Sequence, residues 1–200
     1  MARTQAADYE QRREAIVEKA AELFARVGFN GASVSELASA CGVSKSLLYH
    51  YYESKEAVLH EVMASHIEVL AGDVAEVMAR ETTAMGRLRD LVHRFMQHYV
   101  GASARQKVLL NELANLPEGE RKMVVAAQRK LIDYVQSLLQ EIHPVLADDP
   151  VRARVETMLL FGMINWTHTW FDPEGPISAH DLAEMVIERF QQTLTLPSRP

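Results

Sequence analysis

A short run of basic, hydroxyl and aromatic side chains in the first quarter of the chain carries the clearest chemistry in the sequence. Four of these residues recur at the spacing of one helix face: Lys45, Ser46, Tyr49 and His50. Such groups can contact phosphate oxygens and read the edges of base pairs in a DNA groove. Ser33 and Val34 begin another short helix, whose amides can face a phosphate. The pattern indicates recognition of nucleic acid.

Residues that catalysis would need do not converge in the sequence. The eight histidines include no two that are four residues apart, and there is no glycine-rich phosphate loop or nucleophile elbow. The single cysteine, Cys41, excludes an internal disulfide and is expected to pack as a small apolar residue in a reducing compartment. We therefore expect a protein that is not an enzyme and that holds neither a metal ion nor a cofactor.

Charge and hydropathy narrow the range of partners. The 200-residue chain has a net charge of −6, and its first sixty residues hold seven basic and eight acidic side chains. A nonspecific nucleic-acid coat would be strongly basic, so DNA binding must depend on where the cations are placed. No stretch approaches the roughly 18 apolar residues of a membrane-spanning helix. We expect a cytoplasmic protein with no membrane partner.

The elements that position these residues are helices almost throughout. Apolar residues recur at helical spacing from end to end, and strand-like alternation is absent, which predicts an all-α fold of about nine helices. A three-helix head with a helix-turn-helix, residues 1–55, is expected to precede a larger C-terminal helical bundle for ligand binding and dimerisation, residues 56–200. The predicted helices are 8–27, 34–40, 45–52, 55–80, 84–100, 105–116, 118–142, 150–171 and 178–194.

Caps and a glycine turn define the helix-turn-helix within the head. Ser33-Val-Ser-Glu36 is a capping box, Gly42 supplies the left-handed residue of a tight turn, and Ser44 caps the second helix. Two short helices joined by such a turn, with apolar residues that hold them together, form this motif. Leu48 and Tyr52 are expected in the core, which leaves the polar face of the second helix outward.

These residues also resemble the N-terminal signature of the TetR family of repressors, over about residues 12–60. The resemblance rests on the segments 21–24, 28–29, 33–38, 41–45, 48–52 and 54–56, which read AELF, GF, SVSELA, CGVSK, LYHYY and SKE. It implies a homodimer that binds palindromic double-stranded operator DNA and releases it when a small effector binds. It also implies backbone contacts from Tyr49 and His50, and a phosphate contact from Lys55. Leu47 is apolar where the family commonly has a polar residue, and it would either meet a thymine methyl or pack.

The segments 160–170 and 172–178 resemble a TetR subgroup that senses coenzyme A thioesters, including fatty-acyl forms and the phenylacetyl form of the phenylacetate-pathway repressors. A thioester needs an apolar tunnel, a group that orients its carbonyl, and cations for its phosphates. The predicted ligand residues are Met63, Ile67, Leu91, Phe95, Tyr99, Arg105, Lys107, Leu109, Met123, Phe161, Asn165, Trp166 and Thr169. The apolar members also fit a plain core, and the two cations also fit a solvated surface.

The last two long helices carry wide apolar faces, which the resemblance assigns to a four-helix dimer interface. The residues concerned are Val155, Met158, Leu159, Gly162, Met163, Leu182, Met185, Val186 and Phe190. An intramolecular core is the alternative for the same faces. A dimer is favoured because two heads are needed to read two half-sites.

Two other functions remain open at this level. The C-terminal bundle would sense a hydrophobic drug or signal and control efflux if its pocket lacked cations for phosphate. In another class of function, the chain would be a helical carrier or interaction module that does not bind DNA. Salt-independent or absent binding to duplex DNA would favour the module, because phosphate contacts impose a steep salt dependence.

Overall fold

The computed structural model describes residues 2–194, with side chains described from residue 8 to residue 192. Within that range the regular structure is helical and contains no strand, which confirms the predicted all-α fold. The helices are α1 (Ala2–Val27), α2 (Val34–Ala40), α3 (Lys45–Tyr51), α4 (Lys55–Met78), α5 (Ala84–Gly101), α6 (Ser103–Asn111), α7 (Glu118–Ile142), α8 (Pro144–Ala147), α9 (Pro150–Asn165) and α10 (Ala179–Leu194). None of the described helices combines the length and apolar character needed to cross a bilayer.

Two helices, α6 and α9, end at least five residues earlier than the periodicity predicted, and each is followed by a short 3-10 turn. α6 ends at Asn111, whose side-chain amide donates to the Lys107 carbonyl. α9 ends at Asn165, where the Thr167 and Thr169 hydroxyls donate to carbonyls three residues back. Side chains that bond to nearby carbonyls compete with the helix ladder and tighten its last turn. The one-turn helix α8, with proline at its start, was not predicted.

The described chain divides into two compact units. The first unit consists of Met1–Glu68 and Ala104–Ala126, and the second consists of Val69–Ser103 and Ala127–Pro200. In the first unit α2 packs on α1, and α3 packs on α2. Leu37 and Ala38 of α2 are buried, and the Phe24 ring meets Phe29 edge to face at 5.4 Å. This small core fixes the direction in which α3 points.

The second unit is built around the packing of α5 on α10 and α9. The side chains of α5 that face this core are Leu88, Leu91, Val92, Phe95 and Met96, all buried. Ion pairs brace the unit at its surface, since Arg94 bonds Asp73 at 2.8 Å and Arg87 bonds Glu141 at 2.7 Å. The apolar face of α5 is therefore covered by other helices of the same unit.

The capping box of α2 gives a direct test of how the sequence starts this helix. The Ser33 hydroxyl accepts from the Glu36 amide at 3.2 Å, and the Glu36 carboxylate accepts from the Ser33 amide at 2.8 Å. We expect Ser33→Ala to lower the free energy of unfolding by about 1 kcal/mol in urea denaturation. Ser35→Ala, in the same helix and exposed, is the matched control and should be neutral or slightly stabilising. Equal stabilities for the two variants would contradict the capping role.

Candidate nucleic-acid interface and effector site

Helix α3 has one buried face and one exposed face. Leu48 and Tyr52 are 3% and 6% exposed, which confirms their prediction as core residues. The opposite face is exposed and consists of Lys45, Ser46, Tyr49 and His50, with Tyr49 at 51%. The structure therefore brings four of the predicted DNA-binding side chains together on one surface.

The turn before α3 has the geometry that the sequence predicted. Gly42 has a φ of 66°, and the Ser44 hydroxyl accepts from the Leu47 amide at 3.1 Å. Cys41, which caps α2, is half-buried, and burial raises the pKa of its thiol to about 11. The thiol therefore stays protonated at neutral pH, which disfavours a reactive cysteine at this position.

Leu47 and His50 border the exposed face and also make contacts within the chain. Leu47 is half-buried in the wall of a cavity of about 300 Å³ beside Ile16 and Val43. The His50 ring meets the Tyr51 ring edge to face at 5.5 Å. Both side chains are thus oriented by neighbours before any DNA contact is made.

Two of the groups predicted to contact phosphate are bonded within the chain. The Ser33 amide, expected to be free, donates to the Glu36 carboxylate, whereas Val34 is half-buried and its phosphate contact stays a prediction. The Lys55 ammonium donates to the Phe29 and Ala32 carbonyls at 2.9 Å each and lies 4.0 Å from the Phe29 ring centroid. Lys55 therefore ties the start of α4 to the loop after α1. Its sequence position could not reveal these acceptors, which lie more than twenty residues earlier.

In the second unit, the predicted effector residues form part of the core and part of the surface. Leu91, Phe95, Tyr99 and Phe161 are buried, and the Phe95 ring stacks on Tyr99 at 6.0 Å and on Phe161 at 6.2 Å. The remaining members follow these along α9 and the turn after it: Asn165 is half-buried, Thr169 is exposed, and Trp166 is 65% exposed.

In the first unit, Met63, Ile67 and Leu109 are buried, whereas Met123 is 57% exposed. Lys107 is exposed and lines an open cavity of about 250 Å³ together with Arg26. A neighbouring buried hydrogen bond, between the His66 Nε2 and Gln106 Oε1 atoms at 2.8 Å, was not predicted. Two polar residues forty positions apart give no sequence signal of such a contact.

Arg105 differs from its prediction as a phosphate-binding cation. Its side chain is 10% exposed and pairs with Glu14, and with Glu18 at 2.9 Å. Burial lowers the pKa of Arg105, but the two carboxylates outweigh burial and raise it overall. The guanidinium is therefore already neutralised by α1 and is corrected from a ligand contact to a structural one.

The predicted dimer residues divide into two sets. Val155, Met158, Leu159 and Gly162 are exposed on α9, Met185 is exposed on α10, and Met163 is half-buried. Leu182, Val186 and Phe190 are instead buried within the chain, where α10 packs on α5. These three residues were predicted in the dimer interface and belong instead to the intramolecular core, which was the alternative interpretation of the same apolar faces.

A buried three-helix core that presents a polar recognition face after a glycine turn defines a helix-turn-helix DNA-binding protein. The model described as "Bacterial regulatory proteins, tetR family" matches residues 16–62, and the one described as "Tetracyclin repressor-like, C-terminal domain" matches residues 81–194. The chain belongs to the TetR family, which confirms the resemblance. Regulators of this family are non-enzymatic, bind operator DNA and small-molecule effectors, and act as dimers.

Two solved structures and one sequence relative match most of the chain. A TetR-family transcriptional regulator from Bordetella parapertussis 12822 is 40% identical, with a TM-score of 0.87 over 94% of this chain and 98% of its own. AibR, solved with isovaleryl coenzyme A and operator DNA, is 26% identical, with a TM-score of 0.79 over 89% and 97%. The transcriptional repressor KstR2 of Mycolicibacterium smegmatis is 24% identical over 183 residues, 88% of this chain and 87% of its own.

The exposed face of α3 predicts the effect of removing its cation. Lys45→Ala should weaken binding to a duplex selected by the wild-type protein and reduce the slope of log affinity against log salt by about 1. Tyr49→Ala should weaken binding with little change in the slope, since it removes no charge. Fluorescence anisotropy across a salt series measures both quantities.

Lys130→Ala is the matched control for Lys45→Ala, because Lys130 is an exposed lysine on α7. It should leave affinity and slope unchanged. An unaltered affinity in both α3 variants would exclude this face from the DNA interface.

Proposed function

We propose that this protein is a transcriptional repressor that holds a palindromic operator through the exposed face of α3 and leaves it when an effector binds. The observation that carries the proposal is the division of α3 into a buried anchor and an exposed face of lysine, serine, tyrosine and histidine. Residues 1–55 are proposed to bind DNA, and residues 56–200 to bind the effector and a second copy. The family matches over 16–62 and 81–194 support that division.

A second copy is proposed to cover the exposed apolar face of α9. Met158 and Leu159 follow Val155 after three and four residues, and Gly162 follows them after four and three, so these residues share one side of α9. Trp166 comes four residues after Gly162, directly after the helix ends. Four of them are large side chains that are about half exposed or more. A contiguous exposed apolar patch of this kind is typical of an interface. Gly162, which has no side chain, allows close approach of a partner helix.

The dimer proposal predicts the effect of a charge at the centre of this face. Met158→Glu should convert the dimer to a monomer, because an unpaired carboxylate would be buried in the interface. Sedimentation equilibrium measures the change in mass. Met123→Glu, at an equally exposed methionine on α7, is the control and should remain dimeric. If the Met158→Glu protein stays dimeric, the dimer interface does not include this face of α9.

The effector is proposed to be a coenzyme A thioester, of the fatty-acyl or phenylacetyl type. Two features support this class. AibR, a relative of similar fold, was solved with isovaleryl coenzyme A. The buried aromatic side chains of Phe95, Tyr99 and Phe161 offer an apolar surround of the kind an acyl group needs.

A hydrophobic effector without phosphates is the second candidate, and one observation favours it. Arg105, one of the two cations expected to meet coenzyme A phosphates, is neutralised by Glu14 and Glu18. Lys107 remains exposed, so one of the two predicted cations is still available to a phosphate. The two candidates therefore differ in whether the coenzyme A moiety contributes to binding.

Thermal unfolding and release from DNA separate the two effector classes. An acyl-coenzyme A at a hundredfold excess over its dissociation constant should stabilise the protein by about 2.7 kcal/mol and release the duplex in a gel shift. Phenylacetyl-, isovaleryl- and long-chain thioesters are compared with the corresponding free acids and with coenzyme A alone. Stabilisation by a free acid equal to that by its thioester would favour the hydrophobic effector, and no effect of any thioester would exclude the proposed class.

A further inference from the structure

Two imidazoles and a carboxylate meet where α10 lies against α5, entirely within the second unit. His93 belongs to α5, and His180 and Glu184 lie one turn apart on α10. One ligand atom from each of the three lies within 4.8 Å of the others. The His93 and His180 rings stack with centroids 4.4 Å apart, and His93 Nε2 lies 2.5 Å from Glu184 Oε1. This cluster leaves no signal in the sequence, because His93 and Glu184 are 91 residues apart.

We propose that His93, His180 and Glu184 form a binding site for a divalent transition-metal ion of the zinc class. Two imidazole nitrogens and one carboxylate oxygen are a known ligand set for Zn²⁺, with a fourth position left for water. Ligand atoms at about 2.0–2.2 Å from such an ion lie about 3.3 Å from one another in a tetrahedral site. The present separations need side-chain adjustments of only 1–2 Å or so, and His180, which is exposed, has room to make them.

The carboxylate of Glu184 is oriented for this role by a second contact. Its Oε2 atom forms an ion pair with Arg89 Nη1 at 3.1 Å, and its Oε1 atom is directed toward His93. A metal ligand is commonly held in this way by an outer partner. The ion would replace the His93–Glu184 hydrogen bond and release any proton held on the ligating nitrogens.

His180 distinguishes a metal site from a plain histidine–glutamate pair. The pair requires only His93 and Glu184, and its hydrogen bond forms without His180. A metal site needs the third ligand, which His180 supplies from the same helix face as Glu184. If metal binding depends on His180, which takes no part in the hydrogen bond, the cluster is a metal site and not only a histidine–glutamate pair.

The test measures metal binding by the full-length chain after treatment with a chelator. Isothermal titration with zinc chloride should give one ion per chain, and Co²⁺ should produce visible absorption bands of a site with four or five ligands. His180→Gln and Glu184→Gln should each lower zinc affinity by about tenfold or more. Removing a ligand weakens metal binding more than removing an outer partner does. Glu188→Gln removes an exposed carboxylate one turn further along α10 and should bind zinc as the wild type does.

Thermal unfolding without metal establishes that each variant is folded before its affinity is compared. His180→Gln is expected to unfold at the wild-type temperature, because its side chain is exposed. Wild-type protein that binds no zinc, or a His180→Gln variant that binds it as tightly as Glu188→Gln, would overturn the proposal. The measurement uses neither DNA nor an acyl thioester, so its outcome is independent of the proposed function.

Discussion

The Arg105 guanidinium joins α6 to α1, the helix on which the DNA-binding helices are built. Arg105 pairs with Glu14 and Glu18 of α1, and the next residue along α6, Gln106, hydrogen-bonds His66 of α4. Since α2 packs on α1 and α3 on α2, α1 carries both these ion pairs and the helices that present the recognition face. α6 lies within the 81–194 match to the C-terminal domain, so one segment of the effector domain is built into the unit that holds the head.

The sequence predicted the helices more reliably than it predicted which distant side chains contact one another. Helices with local signals, such as α2 with its capping box and α3 with Gly42 and Ser44, were predicted to within a residue, because a cap and its helix lie a few positions apart. The burial of Leu48 and the exposure of Tyr49 followed from helical spacing. Arg105 was misassigned and the acceptors of Lys55 were missed, because each is a cation whose partners come from a distant segment. A free lysine and one bonded to the carbonyls of a distant loop have the same sequence pattern.

The same pairing explains how an acidic chain can present a surface suited to DNA. Several acidic residues of the first unit are matched by cations within it: Glu10 and Glu61 by Arg13, Glu22 by Lys19, and Glu14 and Glu18 by Arg105. A paired carboxylate has a weak field beyond a Debye length of about 8 Å at physiological salt. The total charge therefore overstates the repulsion that a phosphate meets at α3. What the duplex encounters is set by the groups on that face, where Lys45 is exposed at the start of the helix and no acidic residue occurs between Ser44 and Tyr52.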